Sequence, residues 1–175
     1  LGILLGDSIS LWFPSDRLPS SQLWLNQSIS GETTRDILQR LSDFSRTRPS
    51  VIYLMAGVND LKQGIPEAEI LFNLRQILRR LKQTHPKTQL VVQSILPTDA
   101  ALSFGDRVWW LNQQLAALAE QEGTVYLDLY SHMADTSGSL RRELTTDGLH
   151  LNANGYQVWQ EVLLQTGTTI ARSNG

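Results

Sequence analysis

Cysteine is absent from this 175-residue sequence. Its absence excludes disulfides, thiolate nucleophiles and cysteine-ligated zinc, and it leaves the redox compartment open. An excess of either charge is also missing, with 15 Lys and Arg against 17 Asp and Glu, a net charge of −2. A chain so balanced has no general attraction to nucleic acid or to an anionic membrane. Its basic residues are scattered; Arg75, Arg79, Arg80 and Lys82 share one helix-like stretch that reads as a solvated face. No apolar run is long enough to span a bilayer, and no repeat, linker or low-complexity tract breaks the pattern. The first residue is not Met: the sequence opens directly in LGILLG. An upstream leader, anchor or tail is therefore allowed for, and the cellular address is left open.

What is present describes a soluble globular protein, with 41% hydrophobic and 18% charged residues. The length suits one domain, residues 1–175, better than two. Five strand-like segments are predicted: Leu1 to Leu5, Leu23 to Ser28, Ser50 to Ala56, Gln89 to Leu96 and Thr124 to Leu129. The third and fourth, SVIYLMA and QLVVQSIL, are continuous apolar runs rich in β-branched residues, as strands buried on both faces are. Helical periodicity fills the gaps. Ile37, Leu38, Leu41 and Phe44 form one stripe, and Leu71, Leu74, Ile77, Leu78 and Leu81 form another, with Pro66 expected in its first turn. Val108, Leu111, Leu115 and Leu118 form a third, closed by Gly123 as a helix C-cap, and Tyr156, Trp159, Val162 and Leu163 mark a last helix. Alternating strands and helices imply an α/β fold: a parallel five-stranded sheet in a three-layer α/β/α, flavodoxin-like arrangement. Ligands in such folds bind beyond the carboxyl ends of the strands, near the switch in strand order.

The segments that follow the strands are Gly6-Asp7-Ser8-Ile9-Ser10, Ser28-Ile29-Ser30-Gly31-Glu32-Thr33 and Gly57-Val58-Asn59-Asp60. Thr146-Asp147-Gly148-Leu149-His150 precedes the last helix. These residue types match the parts of an acyl-transfer site. A serine hydroxyl, here Ser8, becomes a nucleophile when an imidazole accepts its proton. The imidazole, His150, needs a carboxylate on its other nitrogen to fix its tautomer, and Asp147 lies three residues before it. A tetrahedral oxyanion needs fixed donors, for which the N–H groups of Ser8 and Gly31 and the side-chain amide of Asn59 are candidates. Trp12 and Phe13 follow the nucleophile and are candidates for lining the acyl pocket.

These blocks resemble the SGNH hydrolases, also called GDSL esterases/lipases. GDSIS carries Ser8, NQSISGETT carries Gly31, GVND carries Asn59, and DGLHLN carries Asp147 and His150. Their order and spacing cover essentially the whole chain. The resemblance implies a flavodoxin-like fold, no required cofactor, and hydrolysis of esters or thioesters through an acyl-enzyme on a small-molecule substrate. Two positions depart from the pattern: Ser28 stands where the family often has Gly, and Ile9 where its name has Leu. GETTRDILQRL and RPSVIYLMAGVND look most like the branch of platelet-activating-factor acetylhydrolase and related bacterial esterases. The SISGET turn is also similar to that of a bacterial thioesterase/lysophospholipase branch.

Other readings fit the same residues less well. Ser8 could simply cap a helix. Asp7, Asp60, Asp147 and His150 could hold metals for phosphoester cleavage, but the histidine-rich blocks of such enzymes are missing, so no metal is expected. Asp7 and Asp60 are better explained as acceptors for backbone N–H groups that hold the site loops. There is no GxGxxG after the first strand and no GxxxxGK[ST]. Ser10 breaks the GxSxG elbow of α/β-hydrolases, and a flavin-binding flavodoxin would leave Asp147 and His150 unexplained. His85, before Pro86, is expected at a helix end where a protonated imidazole favours the dipole, and His132 on the surface. Trp109 and Trp110 are adjacent, so they cannot both face the core. A non-catalytic module that binds acylated glycans or lipids is the reading from a different class.

Overall fold

The computed structural model describes residues 1–102 and 104–173, with side chains through residue 166. Five parallel strands, β1 (Gly2–Gly6), β2 (Trp24–Asn26), β3 (Val51–Met55), β4 (Gln89–Gln93) and β5 (Val125–Leu127), form one sheet in the order β2-β1-β3-β4-β5. Every residue of β1 and β3 is buried, which accounts for their unbroken apolar sequences. In register, Ile3 lies between Leu25 and Ile52, and Leu5 lies opposite Leu54. The helices are α1 (Ser8–Leu11), α2 (Thr34–Gln39), α3 (Val58–Lys62), α4 (Glu67–Thr84), α5 (Gly105–Gln121), α6 (Tyr130–Met133) and α7 (Ala153–Ser173). They cover both faces of the sheet and complete a three-layer α/β/α fold.

The apolar stripes become the helix–sheet contacts. Leu74, Ile77, Leu78 and Leu81 of α4 and Val108, Leu111, Leu115 and Leu118 of α5 are all buried. Gly123 takes φ +58° just beyond α5, the left-handed turn that ends a helix. On α7, Trp159 is wholly buried, and its indole Nε1–H donates to Gln93 Oε1 at 2.8 Å. Truncating such a side chain costs about 3–5 kcal/mol, and here it would also strand the Gln93 amide oxygen. That bond fixes α7 on the sheet, and α7 directly follows the loop that carries His150.

Some elements differ from the sequence expectation. The fourth strand stops at Gln93 because the buried Asn112 side chain of α5 takes over the backbone of Ile95, accepting from its N–H and donating to its C=O, both at 2.8 Å. The stripe from Ile37 to Phe44 is not one helix: α2 ends at Gln39, and Leu41–Phe44 form a 3₁₀ turn. The break falls at Arg40, whose guanidinium is drawn away to Glu32 and to the Gln27 carbonyl. Pro66 is the N-cap of α4 and not its first helical residue. Trp109 and Trp110 do not both face the core, as adjacency requires; both are exposed, at 53% and 56%. His85 does end α4, but it is buried and stacks on Phe44 at 6.1 Å, and burial holds its pKa below the usual imidazole range. His132 is exposed on α6.

Candidate active site

Four loops meet at the carboxyl edge of the sheet, and each is pinned by a bond that takes no part in chemistry. In the first, the Asp7 side chain caps α1 by accepting from Ile9 N–H at 2.9 Å. Ser8 is then the first helical residue, so its own N–H has no intrahelical acceptor. The Tyr156 hydroxyl of α7 donates to the Ile9 carbonyl at 2.7 Å and ties this turn to the opposite layer.

The second loop is joined to the first by Ile29 N–H donating to the Gly6 carbonyl at 3.0 Å. It turns at Gly31, whose φ of +81° and empty Cβ position suit glycine and leave the backbone open to a ligand. Arg40 clamps the loop from outside with two bonds of 2.5 Å to Glu32 and one of 2.6 Å to the Gln27 carbonyl. In the third loop, Asn59 Nδ2–H donates to the Glu32 carbonyl at 2.9 Å. An amide nitrogen carries two protons, so this bond orients the side chain and leaves one donor over. Asp60 is fully buried and accepts from Thr34 N–H at 2.9 Å and Thr34 Oγ1–H at 2.6 Å. Losing it would strand a buried N–H, a cost of about 1–3 kcal/mol.

The fourth loop brings a carboxylate and an imidazole together. Asp147 Oδ1 accepts from Leu149 N–H at 2.9 Å and His150 N–H at 2.7 Å, and Oδ2 meets His150 Nδ1 at 2.6 Å. Burial works to raise the Asp147 pKa, but the His150 side-chain bond and the two backbone N–H bonds outweigh it and hold the carboxyl at about 2. Thr145 braces the loop by donating to the His150 carbonyl at 2.6 Å and accepting from Gly148 N–H at 2.9 Å. Gly148 lies so close to Asp99 that an added Cβ would sit 2.5 Å from the Asp99 Cβ. On its far side, His150 Nε2 is 3.1 Å from Ser8 Oγ.

The structure therefore joins Ser8, His150 and Asp147 in one hydrogen-bonded chain and links Gly31 to Asn59 through Glu32. Trp12 is 53% exposed and lies on the His150 ring, with centroids 4.7 Å apart. Phe13, expected beside it in an acyl pocket, is instead core: it is 4% exposed and packs edge-on against Trp159 at 4.9 Å and Tyr156 at 5.5 Å. Asp7, Asp60 and Asp147 are dispersed among separate partners, and among the described residues no three His, Cys, Asp or Glu side chains converge as metal ligands. The supports that sequence reading missed are the Arg40–Glu32 clamp, Thr145 and the Trp12–His150 stack. All three depend on contacts that short motifs do not encode, although the T-x-D-G-x-H spacing around Thr145 is a turn signal.

A model of the GDSL-like Lipase/Acylhydrolase family matches residues 4–158. The chain belongs to this family. As a GDSL-family acylhydrolase it is a carboxylic ester hydrolase. It is 23% identical to the isoamyl acetate-hydrolyzing esterase of Saccharomyces cerevisiae, over 83% of this chain and 69% of that protein. It is 26% identical to the N-acylneuraminate cytidylyltransferase of Streptococcus agalactiae over 90% of this chain, but spans only 36% of that relative's length. A solved structure from Streptococcus pneumonia, described as a platelet activating factor, superposes with a TM-score of 0.87 at 28% identity and covers 94% of this chain and 82% of its own. No helix among the described residues of this acylhydrolase is long and apolar enough to cross a membrane.

One buried acid in the site should be visible in stability. Burial pushes the Asp7 carboxyl up to about 6 from 3.8, against the Ile9 N–H bond that lowers it, and Oδ2 has no partner. A folded state that keeps this proton longer than the unfolded chain loses stability as pH rises from about 4 to about 6, by about 3 kcal/mol at most. Asp7→Asn retains an acceptor for Ile9 and removes the charge. Its stability relative to the parent should therefore rise across that window and level off above it. Urea denaturation at about pH 4 and about pH 8 measures this, and a pH-independent difference would count against it.

Proposed function

We propose that the protein is a serine esterase that cleaves carboxylic esters of short to medium acyl groups through an acyl-enzyme. The observation that carries this reading is the unbroken chain from Ser8 Oγ through His150 to Asp147, with contacts of 3.1 Å and 2.6 Å. His150 accepts the Ser8 proton as Oγ attacks the ester carbonyl, and the ionised Asp147 stabilises the imidazolium. The developing oxyanion is held by the N–H groups of Ser8 and Gly31 and by the spare Asn59 amide proton. His150 then returns its proton to the leaving alcohol, and water activated by the same imidazole releases the acid.

Leu11 and Trp12 end the short helix that begins at Ser8, and Ile29 is joined to Gly6 just before it; the three are exposed at 37%, 53% and 48% and leave the apolar edge of this turn open. Such an open edge suits a small acyl group better than a long buried chain, and the yeast relative is named for hydrolysing an acetate ester. A thioesterase would use the same residues on a thioester carbonyl, and a lysophospholipase would use them on the oxygen-ester of a lipid acyl chain.

The test is hydrolysis of p-nitrophenyl esters from acetyl to palmitoyl, beside the corresponding thioesters. An optimum at the short end of the oxygen-ester series is the expected outcome. Preference for palmitoyl or for thioesters would move the assignment to the second reading, and no turnover by folded protein that also resists a fluorophosphonate would leave a binding module. Asn59→Ala should lower kcat about 10²–10³-fold with KM little changed, as expected of a donor that engages only the transition state. A change confined to KM would remove Asn59 from that role.

A further inference from the structure

A cavity lies apart from the Ser8–His150 contact, between the segment after β4, the start of α5, α6 and the turn that follows α6. Its volume is about 800 Å³, within the range of small-molecule sites. Its floor contains an unmet hydrogen bond: Thr98 is 2% exposed and its Oγ1 has no partner. Residue 105 is glycine, and a Cβ there would stand 3.9 Å from that hydroxyl, so no side chain at this position stands between the buried Thr98 hydroxyl and the cavity.

The remaining lining narrows the ligand. Asp106 and Asp135 supply carboxylate acceptors, and hydrogen bonds from Ser137 and Ser139 hold Asp135 below the usual carboxylate range. Those bonds all fall on Oδ1, which leaves Oδ2 for a ligand. The half-exposed Trp109 offers an indole face at the edge. No Lys, Arg or His lines the cavity among the described residues, so nothing there neutralises an anion. A quaternary ammonium could lie against Trp109, but it has no hydrogen bond to offer Thr98, and the Tyr130 hydroxyl is already committed to the Gly138 carbonyl at 3.0 Å. A neutral polyhydroxylated ring meets every requirement: hydroxyls that donate to carboxylates and exchange bonds with Thr98, and an apolar face for the indole.

We infer that this cavity binds a neutral sugar unit, stacked on Trp109 and hydrogen-bonded to Thr98, Asp106 and Asp135. The site sits beside the reactive loop, because Asp99 N–H donates to the Gly148 carbonyl at 2.8 Å. A glycan held there would lie next to the esterase centre.

The test is amide NMR of the full chain titrated with cellobiose, N,N′-diacetylchitobiose and maltose, with choline chloride as the comparison. Saturable shifts at Thr98, Gly105 and Gly138 with at least one sugar are expected, and larger than with choline. Thr98→Val, which keeps the shape and removes the hydroxyl, should weaken binding about tenfold, and Trp109→Ala should abolish it. Ser8→Ala should leave the shifts in place, so that this inference and the esterase reading fail separately. Absence of saturable shifts with all three sugars, shifts that survive both cavity substitutions, or choline matching the sugars would overturn it.

Discussion

Ser8→Ala should reduce kcat for ester hydrolysis by about 10⁴-fold or more, with KM changed only a few-fold. The size follows from what the substitution removes. Without Oγ there is no atom to form the acyl-enzyme, and His150, 3.1 Å away, is left with no alcohol to deprotonate. What survives is oxyanion stabilisation and binding, which in serine hydrolases retain a modest advantage over water. The fold should not suffer, because α1 is capped by Asp7 and anchored by Tyr156, neither of which involves the Ser8 side chain. Steady-state kinetics on p-nitrophenyl acetate, with fluorophosphonate labelling of parent and variant, measures both points. Retention of more than about a tenth of the activity would exclude the serine mechanism.

Asp147→Asn should cost about 10⁴-fold in kcat while leaving the loop nearly intact. The two backbone bonds to Oδ1, from Leu149 and His150, can be kept by an amide oxygen. The amide nitrogen then occupies the place of Oδ2, where it donates toward His150 Nδ1. That pairing puts the imidazole proton on Nε2, which faces Ser8 as a donor where catalysis needs an acceptor. The carboxyl is held at about 2 in the parent, so its ionisation contributes no limb to a pH–rate profile near neutrality. The variant's loss should therefore be similar across neutral and mildly alkaline pH in kcat measurements. A loss under about tenfold would show that Asp147 only holds the loop.

The resemblance in GDSIS, GVND and DGLHLN assigned Ser8, Asn59, Asp147 and His150 before any geometry was available, because those types at those spacings serve one chemistry. The five-stranded parallel sheet in three layers was legible from the alternation of apolar runs and helical stripes. What could not be read is how the loops are held. Arg40 looks like an ordinary polar position in a helical stripe, yet from the C-cap of α2 its guanidinium reaches Glu32 and braces the turn that presents Gly31. Phe13 read as pocket because it adjoins Ser8; its burial depends on Tyr156 and Trp159, which are more than 140 residues away in sequence and invisible to a local pattern. The end of the fourth strand was not legible because one buried amide, Asn112, takes up the backbone of Ile95.

The fourth loop also has a mechanical meaning. Asp147 grips His150 at both its backbone and its ring, so acid and base form one small rigid body. The serine belongs to a different body, the capped turn of α1. The Ser8–His150 gap and the Trp12 ring stacked on His150 span the two. Drift between these bodies would detune proton transfer without altering the ionisation of either, and a remote substitution that shifts α7 would show as a slower enzyme with an unchanged pH profile.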